Sequence, residues 1–329
     1  MKVALVCIAR WEENYIDEWI RYNKLLNFDK IFIYDNGNEW KRDSLVFTDP
    51  DVVLVNWEGD GQAVDDVPPA PPENSVPVNQ SQNNWRQERH NRNRRRGVGS
   101  PESKLKSTNL NKTNNKQVRA YNHFLNNNRK TMEYDWIAFL DCDEFLVLKK
   151  HETIQDFIEE HNFEKDAIGI YTYIFGDNGL HGVENGNYSV LERFTMRRER
   201  HFPAKERHGI SKTPAFFIKS IVRNTPHIKM LSSHTANIPS VGTSGDLILC
   251  DTGKLTSWTH YGIRDVAQIN HYFGKTAEEF HKKIERGRAT SGRKRTMDEF
   301  YHHNINEVED TDALEFYLKN YWVNYDYEI

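Results

Sequence analysis

Trp136-Ile137-Ala138-Phe139-Leu140-Asp141-Cys142-Asp143-Glu144-Phe145-Leu146 is the stretch on which the reading of this chain turns. Five apolar residues run without a break, as a strand covered on both faces requires. Three carboxylates then interrupt the apolar pattern. Like charges this close repel, and burial raises the cost of ionising them. A divalent cation relieves both problems. Alternate residues of an extended chain face the same way, so Asp141 and Asp143 can address one ion. Carboxylate oxygens suit Mg²⁺ or Mn²⁺. The competing reading is a strand running into a helix, with an acidic residue as its cap. The position at the end of a strongly apolar strand favours the metal.

Working outward, the same grammar recurs. Residues 3–8 form a near-continuous apolar run. Residues 13–26 place Ile16, Trp19, Ile20 and Asn23 at helical spacing. Strands are expected at 31–34 and 52–55, a helix at 117–127, then the strand at 136–140. Further on, 168–174 and 216–222 read as strands, and 276–287 and 313–322 as helices. Strands alternating with helices predict an α/β protein with a mostly parallel, Rossmann-like sheet. Its ligands should gather at the carboxyl ends of the strands. Neither a Walker loop nor Gly-x-Gly-x-x-Gly follows the first strand, so no glycine-rich loop is expected to hold phosphate. Asp35 closes the second strand in Asp35-Asn36-Gly37. It can accept hydrogen bonds from a base or ribose, and the same three residues favour a tight turn.

One segment departs from this pattern. Residues 63–116 hold six of the eleven prolines, ten asparagines and a single aromatic, Trp85, with a charge balance of +5. That composition cannot offset the entropy of ordering. A disordered insertion is expected, dividing one domain into 1–62 and 117–290, with a helical extension over 291–329. The arginines between Arg86 and Arg96 lack interleaved aromatics to stack on bases. The formal net charge of the 329-residue chain is −4. No specific nucleic-acid partner is therefore expected. Three cysteines cannot build a disulfide framework, and no apolar stretch reaches the about 20 residues a bilayer demands. The expectation is a cytoplasmic protein, with peripheral contact at the inner membrane left open.

Several blocks, in order, resemble family 2-like and family 92-like bacterial glycosyltransferases. They are Cys7-Ile8-Ala9-Arg10-Trp11-Glu12, Tyr15-Ile16-Asp17-Glu18-Trp19, Phe28-Asp29-Lys30-Ile31-Phe32-Ile33-Tyr34-Asp35-Asn36, and the acidic stretch as an Asp-x-Asp segment. Phe175-Gly176-Asp177-Asn178-Gly179 resembles a downstream loop, and Lys219-Ser220-Ile221-Val222-Arg223 a later strand. Asn270-His271-Tyr272-Phe273 with Glu279, Lys283 and Arg286-Gly287-Arg288 resembles the closing helix. The resemblance implies a GT-A fold. It also implies Ala9, Arg10 and Glu12 against the nucleotide, Asp35 near the uracil or ribose, and Asp141 and Asp143 on metal and diphosphate. His234 or His271 would add a ligand. Trp11 stands where the relatives usually carry Asn.

The expected activity is metal-dependent sugar transfer. The donor is a nucleoside diphosphate sugar such as a UDP-sugar, the acceptor a glycan hydroxyl, and the stereochemistry inverting. The implied setting is surface polysaccharide or lipopolysaccharide synthesis. Asp177 is the first candidate for the base, with Glu192 and Asp246 as alternatives; a turn-forming role for Asp177 fits its neighbours equally. Two rivals use the same residues differently: a two-metal phosphodiesterase or nuclease, and an RNA-binding protein acting through the arginines of the insertion.

Overall fold

The computed structural model describes residues 1–57, 115–160, 166–199, 216–238, 240–242, 247–248, 258–259, 265–288 and 294–325. All but the last two residues of the expected insertion lie outside that set.

The chain opens with β1 (Val3–Ala9), α1 (Ile16–Leu25), β2 (Lys30–Asp35), the short α2 (Leu45–Thr48) and β3 (Val52–Asn56). After the insertion come α3 (Lys116–Thr131), β4 (Trp136–Phe139) and β5 (Glu144–Leu148). Next follow α4 (Ile154–Glu160), β6 (Ala167–Ile174), α5 (Val190–Arg193), β7 (Met196–Arg197) and β8 (Phe216–Arg223). The last part holds β9 (Ser240–Gly242), β10 (Leu247–Ile248), β11 (Trp258–Thr259), β12 (Ala267–His271), α6 (Ala277–Arg286), α7 (Met297–His303), β13 (Val308–Glu309) and α8 (Asp312–Tyr325).

The long path of the main sheet runs β10-β9-β6-β8-β4-β1-β2-β3. Its β3-β2-β1-β4 half is wholly parallel, as the strand–helix alternation predicts. β8 then enters antiparallel between β4 and β6, which makes the sheet mixed. β6 divides its other edge between β9 near its start and β12 near its end, both parallel. β12 in turn pairs antiparallel with β5. The architecture is α/β and GT-A-like.

Alternation along the strands explains the unbroken apolar runs. Val3, Leu5 and Cys7 join one core with Ile16, Trp19 and Ile20 of α1. Ala4 and Val6 join a second core with Ala120, Tyr121 and Phe124 of α3. Each face of the sheet is thus covered by a helix, and no strand position can be polar without a partner. α1 also fixes the strand beyond the acidic stretch: Trp19 Nε1 donates to the Glu144 carbonyl at 2.8 Å and Tyr22 Oη to that of Leu146 at 2.8 Å.

The helix expected over 276–287 is α6, while Asn270 and His271 of the block that resembles the family's closing helix end strand β12. The acidic stretch leads into strand β5, which excludes the competing reading of a helix cap. α8 covers the helix expected over 313–322, and α7 precedes it, with β13 between them paired to β7. Phe316 of α8 meets Tyr22 of α1 edge-on, with ring centroids 5.4 Å apart.

Candidate active site

The parallel half of the sheet delivers the ends of β1 and β4 side by side. β1 closes on Ala9, whose carbonyl accepts from Asn36 N at 2.9 Å and Asn38 Nδ2 at 2.9 Å. β4 runs out through Leu140 into Asp141-Cys142-Asp143. A reciprocal pair makes this turn: Glu144 N donates to the Asp141 carbonyl at 3.0 Å, and Asp141 N to Glu144 Oε2 at 3.0 Å. A cleft of about 190 Å³ opens here.

Each carboxylate of the stretch meets a cation. Lys219 projects from the middle of β8 and is almost wholly buried; its Nζ lies 3.1 Å from Asp141 Oδ2 and 2.9 Å from Glu144 Oε2. Gln117 Nε2, at the start of α3, donates to Asp141 Oδ1, and to Tyr121 Oη at 2.8 Å. Asp143 Oδ2 receives Lys283 Nζ of α6 at 2.6 Å, and His271 Nε2 stands 3.4 Å from its Oδ1. Burial opposes ionisation of all three acids, but the ammonium groups decide for two of them. Lys219 holds Asp141 below the ordinary carboxylate range, and Lys283 with His271 holds Asp143 well below it. For Glu144 burial prevails and its carboxyl is raised. Lys219 itself is raised, since Asp141 and Glu144 outweigh its burial. Lys283 is pushed down to about 8, burial being the main cause.

Opposite the acids stands a cationic wall. Arg286 of α6 pairs with Glu12 and donates to the Arg10 carbonyl at 2.6 Å. With Arg10, Lys116, Lys283, Arg288 and Arg295, six basic side chains line the cleft against three carboxylates, Glu12, Asp141 and Asp143. That excess favours a polyanionic ligand.

The expected site residues separate into two groups. Ala9, Arg10, Glu12, Asp141 and Asp143 all line the cleft, with His271. The others do not. Asp35 holds its own loop: Oδ1 accepts from Gly37 N at 3.1 Å and Asn38 N at 3.0 Å, and Oδ2 from Trp40 Nε1 at 2.9 Å. Its neighbour Asn36 lines the cleft instead. Gly37 sits at φ 89°, a conformation that the tight turn requires and glycine supplies. Asp177 accepts from Gly179 N at 2.8 Å and Asn306 Nδ2 at 3.1 Å on one oxygen, and from Asn304 Nδ2 at 2.6 Å on the other. It ties the segment after α7 to the loop after β6. Glu192 accepts from Asn187 Nδ2 at 3.0 Å, away from the cleft. Asp246 lies outside the described residues. His234 shares a hydrogen bond of 2.8 Å between Nδ1 and the Ile218 carbonyl, and burial pushes it down to about 4, so the ring is neutral at pH 7.

Lys219, Gln117, Lys116, Arg288 and Arg295 were not singled out from the sequence as site residues. Lys219 carried a usable signal: a lone lysine inside Phe216-Phe217-Ile218-Lys219-Ser220-Ile221-Val222 must have a buried partner. The arginines and Gln117 carried none.

Among the described residues no group of three or more His, Cys, Asp and Glu side chains is arranged to hold a metal. Asp141 and Asp143 supply two carboxylates, whose oxygens also meet Gln117, Lys219, Lys283 and His271. Mg²⁺ or Mn²⁺ commonly takes one or two protein carboxylates and completes its shell with substrate phosphates and water.

No curated protein matches the chain. The model of glycosyltransferase family 92 does match, over residues 81–311, which takes in α3, the acidic stretch, Lys219, Lys283, Arg286, Arg288 and Arg295. With that match covering well over half its length, the chain belongs to glycosyltransferase family 92 and is a glycosyltransferase.

Proposed function

We propose that the chain moves a hexose from a UDP-sugar to a glycan hydroxyl, with inversion and with the help of Mg²⁺ or Mn²⁺. The observation that carries this reading is the cleft itself, where Asp141 and Asp143 at the end of β4 face Lys283, Arg286, Arg288 and Arg295. A diphosphate fits that polarity: its oxygens can be received by the cations while the carboxylates hold the metal. Asp143 and Asp141 are the residues that would bind the ion, which as a Lewis acid would offset charge on the departing diphosphate.

The chain's own groups do the positioning. Lys219, Gln117 and Tyr121 hold Asp141 in place, and Tyr121 Oη lies 3.4 Å from its Oδ1. Glu12 orients Arg286 towards the cleft. Asn36 lines the cleft just past β2 and offers an amide to a base or ribose. The setting, surface-glycan synthesis in the cytoplasm, rests on the sequence resemblance alone. Among the described residues no helix is long and apolar enough to cross a membrane.

The test is a panel of nucleotide sugars with Mn²⁺ or Mg²⁺, scored by thermal shift and by donor hydrolysis. A bound donor raises the melting temperature as its concentration passes Kd. UDP-sugars should stabilise the protein, and EDTA should abolish turnover. Stabilisation only by other nucleotides, or full turnover in EDTA, overturns the donor or the metal assignment respectively.

A further inference from the structure

A second cavity, of about 160 Å³, adjoins the cleft and shares Glu12, Phe273, Lys283 and Arg286 with it. We propose that this cavity receives the sugar ring of the acceptor, stacked on Trp11; the identification of that sugar as the acceptor rests on the transferase reading above.

Three observations point there. Trp11 is 43 % exposed at the cavity and sits at φ 56°. A tryptophan gains nothing from solvent, and a bulky residue in the left-handed region is a strained outlier. Across the same cavity Lys275 is held at φ 52°. Its ammonium lies 3.9 Å from the Tyr15 ring centroid and 3.7 Å from Glu12 Oε2. Strained backbone persists where the surroundings over-determine it, and it gathers at ligand sites. Here two of the six non-glycine positive-φ residues among those described face one cavity.

The chemistry of the lining selects the ligand. The lining of the donor cleft carries six basic and three acidic side chains, whereas that of the second cavity is nearly balanced, with four basic and three acidic. There Glu12 lies beside Arg286 and Lys275, and Glu279 beside Arg193. Such a site offers donors and acceptors but little net field, which suits a neutral polyhydroxylated ring better than a phosphate. Arg10 stands 5.5 Å from the Trp11 centroid on one face, and the indole has a second face for an apolar ligand surface. Glu13 and the exposed Asn14 lie along the rim. The shared residues place a ring bound here next to a diphosphate in the cleft.

The test is saturation-transfer NMR of the full-length protein with a panel of free mono- and disaccharides. It compares wild type, Trp11→Asn and Trp11→Phe, with UDP affinity measured by calorimetry in each. Asn tolerates left-handed backbone, so Trp11→Asn removes the ring while relieving strain. Saccharide affinity should fall at least tenfold in Trp11→Asn and be largely restored in Trp11→Phe. UDP affinity should stay within twofold, and the melting temperature should hold or rise. Unchanged saccharide binding in Trp11→Asn, or no saccharide bound by wild type, overturns the proposal. A loss of UDP affinity with saccharide binding kept also overturns it and makes Trp11 a base-stacking residue. Saccharide binding that depends on Trp11 in a protein that binds no UDP supports the sugar site and defeats the UDP-transferase reading alone.

Discussion

Lys219 shows how a single side chain can hold a site together. Its ammonium is buried between Asp141 and Glu144, so all three groups depend on one another. Lys219→Met leaves buried Glu144 and the half-buried Asp141 beside it without that counter-charge. Removing one partner of a buried ionic group typically costs about 3–5 kcal/mol. Urea unfolding should show a loss of that order, with UDP binding weakened as Asp141 loses its orientation; a loss below about 1 kcal/mol would mean that water already reaches the pair. Asp143→Asn and Asp141→Asn test the opposite side of the network. Each keeps the shape of the side chain and removes its charge, so each should cut sugar transfer by ~100-fold or more while far-UV circular dichroism is unchanged. Near-wild-type transfer in either variant would exclude that carboxylate from the reaction. Asp177 behaves differently: with both oxygens engaged by residues 179, 304 and 306, Asp177→Ala should lower the melting temperature.

At the scale of the element, α6 is the helix on which both cavities depend, since it carries Lys283 and Arg286. Its start is a complete capping box: Glu279 N donates to Thr276 Oγ1 at 3.3 Å, and Thr276 N to Glu279 Oε2 at 3.1 Å. Thr276→Ala should cost about 1 kcal/mol. Glu279 has a second task, pairing with Arg193 through two contacts of 3.0 and 2.7 Å and accepting from Tyr15 Oη at 2.8 Å. Burial would raise its carboxyl, but the bonds from Arg193, Thr276 and Tyr15 outweigh that and bring it from the ordinary 4.5 down to about 2. A depressed folded-state pKa adds stability that is complete above the unfolded value and disappears as pH falls through the folded one. The contribution, of order 3 kcal/mol, should therefore be present above about pH 4.5 and be lost towards pH 2. Stability measured against pH should fall less steeply across that window in Glu279→Gln than in wild type. Parallel curves would show that another group governs acid unfolding.

At the scale of the whole molecule, the insertion interrupts the chain between β3 and α3 without interrupting the core. Trp57, just past β3, packs on His123 of α3 with ring centroids 5.1 Å apart, and it shares one core cluster with Ala120, Tyr121 and Phe124, so the chain on both sides of the break builds the same core. Every strand and helix described lies outside residues 62–115. Loop-closure entropy grows only logarithmically with length. Replacing 62–115 by a short Gly-Ser linker should leave one cooperative unfolding transition and retain UDP binding. Loss of the cooperative transition would make the segment part of the fold. The family match begins at residue 81, inside the insertion, so altered transfer with retained UDP binding would assign that stretch to acceptor handling.

The sequence by itself determined the strongly patterned elements and the acidic centre. Apolar runs marked β1, β2, β4 and β6 because both faces of each strand are covered. Helical spacing marked α1, α3 and α6, and three acids after β4 marked the site. It could not determine pairing across the sheet. That β8 enters antiparallel and brings Lys219 under Asp141 follows from hydrogen-bond register between strands some eighty residues apart. The same holds for Lys283 on Asp143, Arg286 on Glu12, and Asp35 turning its oxygens to its own loop. Hydrophobic periodicity records which face of an element is buried, not which charge waits there. Only the tertiary structure decided which carboxylates face the cleft, which cations balance them, and that Trp11 stands exposed over a second cavity.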